Sequence, residues 1–442
     1  MKATVKCISV IVLLCLTSAF AADWPQYLGP NRNSTSTQKG LLRTWPKDGP
    51  KVEWTVTLGI GFGGAVVSAG KVYLLDRDDK VGDNLRCFDL SNGKELWNFA
   101  YNAPGSVQFP GSRSVPTVDS NNVYSCGPYG DLYCISINTH KPVWNKNVWK
   151  DFGGGQIPRW GITQNPLVYG DLLILASQAP QAGVVAYEKL TGNVKWTTPS
   201  LGPVGYVSLA IVKVSGQDHV VMMTASMRMG RGGGGGGATV HGIDPLSGKT
   251  LWTYSNWQCM IPVPSAVDAG EGRVLITGGY QAGAAMIKVE KKADGSYGVT
   301  ELYKNADFGA HTQPPVLYNG YFYAQYSTNE RKDGMVCMSI DGQIKWKTGR
   351  SPLFDKGGSI LADGLLLSTD GSTKLYLIEP DPSDFKPIAS AELLKEGGTG
   401  SSDDPLASRV GGATQNWAPL ALADGKLLIR DQRQVKCLIV AQ

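Results

Sequence analysis

Polar side chains able to hold a ligand concentrate in four short stretches of this 442-residue chain. They are Gly111-Ser112-Arg113-Ser114, residues 159–165, His311-Thr312-Gln313 and Thr414-Gln415-Asn416-Trp417. Amides, an arginine and indoles around one opening suit a neutral or anionic ligand bound by hydrogen bonds, such as a sugar or a peptide segment. The candidate ligand residues are Arg113, Trp160, Gln164, Asn165, His311, Gln313, Gln415, Asn416 and Trp417. A plainer reading competes and is the stronger of the two. In it, the same groups bond to backbone and to channel water, as polar groups beside an apolar hairpin must.

Each stretch runs into an alternating apolar hairpin, and the hairpins recur. They start at Ala65, Pro116, Pro166, Ala210, Pro264, Pro315, Ser359 and Pro419. Each is followed by a second pattern, clearest in Leu85 to Trp97 and Val240 to Trp252. That pattern is an alternating strand, a turn with Gly and Lys, and a short strand closed by Trp. Weaker copies run from Leu132 to Trp144, Val184 to Trp196 and Met335 to Trp346. A strand-only repeat of about fifty residues predicts an all-β propeller of eight four-stranded antiparallel blades.

The last copy lacks its outer strand, and Val52-Glu53-Trp54-Thr55-Val56 at the other end of the chain supplies one. Pairing it with residues 435–440 would close the ring and leave no sheet edge. Trp54, Trp97, Trp144, Trp196, Trp252 and Trp346 are expected to fill the gaps between blades, with the turn glycines taking positive φ. The polar stretches then stand where loops enter the innermost strands, at one mouth of the channel.

That placement argues against a catalytic centre. His140, His219 and His241 fall in turns or outer strands of other blades, so a histidine metal site is not expected. No CxxC pair has histidine partners, so neither is a zinc site. Cys87, Cys134, Cys337 and Cys437 share one repeat position and are too far apart to pair. Cys126 and Cys134 flank one hairpin, where a disulfide is a minority outcome. Asp307 and Asp355 precede inner strands and could act as bases, without evident partners. No catalytic or metal-binding residue is assigned.

The copies Asp89-x-x-x-Gly93-Lys94-x-x-Trp97 and Asp244-x-x-x-Gly248-Lys249-x-x-Trp252 resemble the tryptophan-docking motif of the quinoprotein alcohol dehydrogenase-like propellers. The same repeat occurs in the lipoprotein scaffold of outer-membrane assembly, and the resemblance covers the chain from about Trp24 to Gln442. It implies the fold, but the family mixes dehydrogenases with scaffolds. Its dehydrogenases imply pyrroloquinoline quinone stacked between a Trp and a ring of two adjacent cysteines, with calcium held by a Glu and an Asn or Asp. No two cysteines are adjacent here, and Glu53, Glu95, Glu188, Glu271 and Glu330 lie on outer strands or turns. A non-catalytic binding or scaffold propeller without cofactor is the expectation; a quinone- and calcium-dependent dehydrogenase is the alternative.

Lys2, Lys6, the apolar run Ile8 to Leu16 and Ala19-Phe20-Ala21 have the layout of a secretory leader, residues 1–21, cut before Ala22. The run is too short to span a bilayer. Cys15 as a lipidation site ranks lower, because Leu14 precedes it. Residues 22–442 then form one propeller domain outside the cytoplasm. Loss of Lys2 and Lys6 lowers the net charge from +5 to +3, too weak for nucleic acid. The low-complexity run Met227 to Gly237 has no following helix or Lys-Ser/Thr pair to cradle phosphate, and a surface loop is expected. The expected partner is a protein or a small polar ligand, and the expected state a monomer.

Overall fold

The computed structural model describes residues 23–226, 240–327, 331–394 and 414–442. The leader, Cys15, the run Met227 to Gly237 and Glu330 lie outside them. Eight antiparallel sheets form a ring. Blade one runs outward through Val66–Ser68, Lys71–Asp78, Gly82–Asp89 and Glu95–Asn102. Blades two to eight begin with inner strands at Thr117, Leu167, Ala210, Val267, Val316, Ser359 and Ala421. Alternate residues of the inner hairpins are buried on both faces of each sheet, which joins neighbouring blades through shared apolar clusters.

Closure follows the terminal half-repeats. Val52–Thr57 is the outer strand of blade eight and pairs antiparallel with Gln434–Ile439, setting Trp54 opposite Cys437. The rim shows why the turn needs glycine. Trp54 Nε1 donates to Leu90 O of blade one at 2.9 Å, and Trp144 Nε1 to Lys189 O of blade three at 3.0 Å. Trp196 Nε1 reaches Pro245 O at 3.2 Å, and Tyr303 Oη reaches Ile340 O at 3.2 Å. Beneath these rings lie Gly93, Gly192, Gly248 and Gly342, all at positive φ. A Cβ at Gly248 would come within 2.5 Å of the Trp196 ring. The turn thus requires glycine twice, for backbone conformation and for the ring that covers it.

Other blades vary the device. In blade two the glycine position is His140, at φ 57°, and its ring stacks on Trp97 with centroids 4.8 Å apart. Trp252 bonds instead to His219 Nδ1 of its own blade, at 3.0 Å. His219 and His241, expected in turns or outer strands, are in fact buried on the second and third strands of blade four. The alternation of Asp218-His219-Val220 already places His219 on a strand face. All six described cysteines are buried and free, and Cys126 pairs in register with Leu132, not with Cys134.

The segment ahead of the ring has a fold that the repeat does not encode. Trp24 bridges to Val67 of blade one, and Pro25 O accepts from Val118 N of blade two at 2.8 Å. Arg32 donates to Pro166 O and Leu209 O, at 3.3 and 3.2 Å, in blades three and four. Thr35–Ser36 adds a parallel fifth strand to the inner edge of blade seven, and Leu42 N reaches Val440 O at 2.8 Å. Bonding partners at Val67, Val118 and Leu361 lie at inner hairpin turns, so residues 24–42 stopper that end of the channel. Trp24, Tyr27 and Leu28 are buried. Burial without an acidic partner pushes Arg32 down to about 10.

Candidate functional site

Opposite the stopper, the channel opens into a cavity of about 230 Å³ on the ring axis, with Tyr27 of the stopper reaching into its wall. One position of the repeat builds most of that wall. Phe62, Arg113, Thr163, Ser208, Thr312, Lys356 and Trp417 each stand six residues ahead of the last residue of their blade's inner strand, and all line the cavity. In blade five the position is Pro262, whose neighbours Ile261 and Val263 line it instead. Inner strands converge at the axis, so equivalent residues of different blades meet there and nowhere else.

The aromatic groups hold one another. Phe62 stacks on Trp417 with centroids 5.6 Å apart, Phe109 meets the same indole edge-on at 5.7 Å, and Trp160 meets Tyr206 edge-on at 5.1 Å. Lys356 Nζ lies 5.0 Å from the Trp417 ring centroid and pairs with Asp355 at 2.8 Å. Arg113 donates through Nε to Trp160 O at 2.6 Å and through Nη2 to Gln108 O and Phe109 O. Burial pushes its guanidinium down to about 10. His311 Nδ1 lies 2.9 Å from Ser327 O, and burial, with Lys356 nearby, lowers its pKa. The imidazole is therefore neutral at pH 7, with the proton on Nδ1 because a carbonyl can only accept.

Of the nine candidate residues, Arg113, Trp160, Asn165, His311, Gln313 and Trp417 line the cavity. Gln164, Gln415 and Asn416 do not. The Gln164 amide is used up between Val207 O, at 2.9 Å, and Ala176 N, at 3.2 Å. Gln415 and Asn416 are turned into the protein, and both amide atoms of Asn416 are buried without a partner. Two of the lining amides also serve the ring. Asn165 bridges Val115 N, at 2.6 Å, and Ser208 Oγ, at 2.9 Å, tying blades two, three and four. Gln313 Nε2 donates to Trp417 O at 3.1 Å. Sequence reasoning missed Phe62, Phe109, Tyr206, Tyr280 and Lys356. Aligning the eight inner hairpins would have found Phe62 and Lys356, since each occupies the position of Arg113.

The wall fits a calcium-bound quinone poorly. Among the described residues no aspartate or glutamate lines it, so they offer no carboxylate to hold calcium. Among the described residues, no three His, Cys, Asp or Glu side chains are grouped to hold a metal. Asp307 and Asp355, expected to lack partners, are ion-paired: Asp307 with Arg331 and Lys347, Asp355 with Lys356. Arg331 and Lys347 are neighbours in space that spacing along the chain does not reveal, whereas Lys356 directly follows Asp355.

Solved structures share the ring at low identity. The chain covers 95% of itself and 81% of the quinohemoprotein alcohol dehydrogenase of Comamonas testosteroni, at 14% identity and a TM-score of 0.65. A europium-containing methanol dehydrogenase matches over 92% of this chain and 89% of its own, at 13% and 0.60. BamB of Moraxella catarrhalis matches over 88% and 96%, at 12% and 0.56. Identities this low speak for the fold alone. No curated protein matches in sequence. No helix among the described residues is long and apolar enough to cross a membrane. A family model described as outer membrane protein assembly factor BamB matches residues 81–348, more than half of the sequence, and the chain belongs to that family of propellers with pyrroloquinoline-quinone-like repeats.

Proposed function

We propose that this chain works outside the cytoplasm as a non-catalytic binding propeller, and that its axial cavity is the binding site. One observation carries the reading: a cavity stoppered at one end, with cations and aromatic rings in its wall and no carboxylate among the described residues. Such a wall can hold a polar or anionic group, but its described residues offer no carboxylate to fix calcium against a quinone carbonyl. The neutral imidazole of His311 is an acceptor there, without the second acid–base partner that proton transfer from an alcohol would require. Export rests on the leader-like residues 1–21 and on a family description that names the outer membrane.

Reconstitution with pyrroloquinoline quinone and calcium, followed by an assay of alcohol-dependent dye reduction, tests the reading. The expected result is no reduction above the protein-free rate. Turnover that requires both quinone and calcium would replace it with the dehydrogenase reading, which the likeness to quinohemoprotein folds keeps in view.

A further inference from the structure

The charge of the cavity wall is unbalanced. Arg113 and Lys356 line it, and no acidic residue does so among the described residues. Lys356 has Asp355 as counter-ion at 2.8 Å, whereas Arg113 hydrogen-bonds only to carbonyl oxygens among the described residues and lies over the Phe62 ring. A part-buried cation lacking an anion is costly, and an incoming carboxylate relieves that cost with charge-assisted hydrogen bonds. Arg113 Nη1 makes no hydrogen bond among the described residues, so one donor remains for it.

A carboxylate alone does not satisfy the wall. With its proton on Nδ1, His311 presents Nε2 as an acceptor that has no partner among the described residues. The ligand must therefore also donate, as a hydroxyl does. Size narrows the class further: 230 Å³ falls below the roughly 300–1,000 Å³ that buries a drug-sized molecule, which leaves room for one ring. Trp417 is already stacked on Phe62 and faced by Lys356, and Trp160 and Tyr206 meet edge to face. These walls are irregular and offer rims more than a flat slot, which suits a puckered ring with C–H faces.

We infer that the axial cavity binds a sugar acid: one pyranose ring with its carboxylate toward Arg113 and Lys356 and a hydroxyl donated to His311 Nε2. The inference rests on reading the cavity as a non-catalytic binding site. Isothermal titration of the full chain with glucuronate, glucose and benzoate at low ionic strength tests it. Glucuronate should bind at least about tenfold more tightly than either glucose, which lacks the charge, or benzoate, which lacks the hydroxyls. Lys356→Gln should abolish the preference for glucuronate over glucose, and Arg113→Lys, which keeps the charge but loses the planar fork, should weaken glucuronate selectively. Equal affinity for glucuronate and glucose, equal affinity for benzoate, or no heat with glucuronate would each overturn the inference while leaving the non-catalytic reading intact. Quinone- and calcium-dependent dye reduction would remove both.

Discussion

The rim and the axis of this propeller use the same repeat in opposite ways. At the rim, one position holds Trp or Tyr in most blades, and the glycine beneath it recurs because a Cβ would strike the ring. At the axis, one position holds Phe62, Arg113, Thr163, Ser208, Thr312, Lys356 and Trp417, so aromatic, cationic and hydroxyl side chains alternate with no residue type shared by every blade. Repetition marks where every blade must solve the same packing problem. Variation marks where side chains of different blades meet and only their sum is constrained.

That contrast predicts large losses at the rim and at the closure. Deleting residues 435–442 strips blade eight of the strand that pairs with both Val52–Thr57 and Lys426–Arg430. The ring should lose cooperative unfolding altogether, and an unchanged calorimetric transition would break the closure account. Starting the chain at residue 43 removes the stopper, exposes the inner strand of blade seven and opens the channel from end to end. A lower melting temperature and faster amide exchange on the inner strands are expected, and unchanged exchange would show that the stopper is dispensable.

Trp196→Ala removes a buried ring and its bond to Pro245 O, and should cost about 3–5 kcal/mol in denaturant unfolding. A cost below about 1 kcal/mol would show that the rim relaxes around the loss. The smallest effect is on pH dependence. Burial pushes His241 down to about 4, against a smaller upward pull from the backbone of Leu201. Unfolding lets it take up a proton near its ordinary pKa of about 6.5, so stability is full above that pH and falls as pH drops toward 4. His241→Leu should flatten the acid-side decline in melting temperature, leaving the part owed to His219 and His311, which burial also lowers.

The fold was legible because its signals are periodic: hairpin alternation, turn glycines and a closing Trp all repeat. The stopper was not, since residues 24–42 bond to inner strands around the ring and carry no period of their own. The site was half legible. Arg113, Trp160, His311 and Trp417 announce themselves as polar or aromatic residues beside apolar hairpins. Gln164, Gln415 and Asn416 carry the same chemistry but face into the protein, a direction that residue type does not reveal. Nothing about Lys356 by itself marks it as a site residue; the ring brings it over Trp417.

The central claim is that the rim holds the fold and the axial position is left for binding. The melting temperatures of Lys356→Gln and Trp196→Ala, measured side by side with the parent chain, test it most directly. The account predicts that Trp196→Ala melts many degrees lower while Lys356→Gln melts with the parent. A Lys356→Gln protein that melts as low as Trp196→Ala would contradict it, because the axial position would then be structural like the rim.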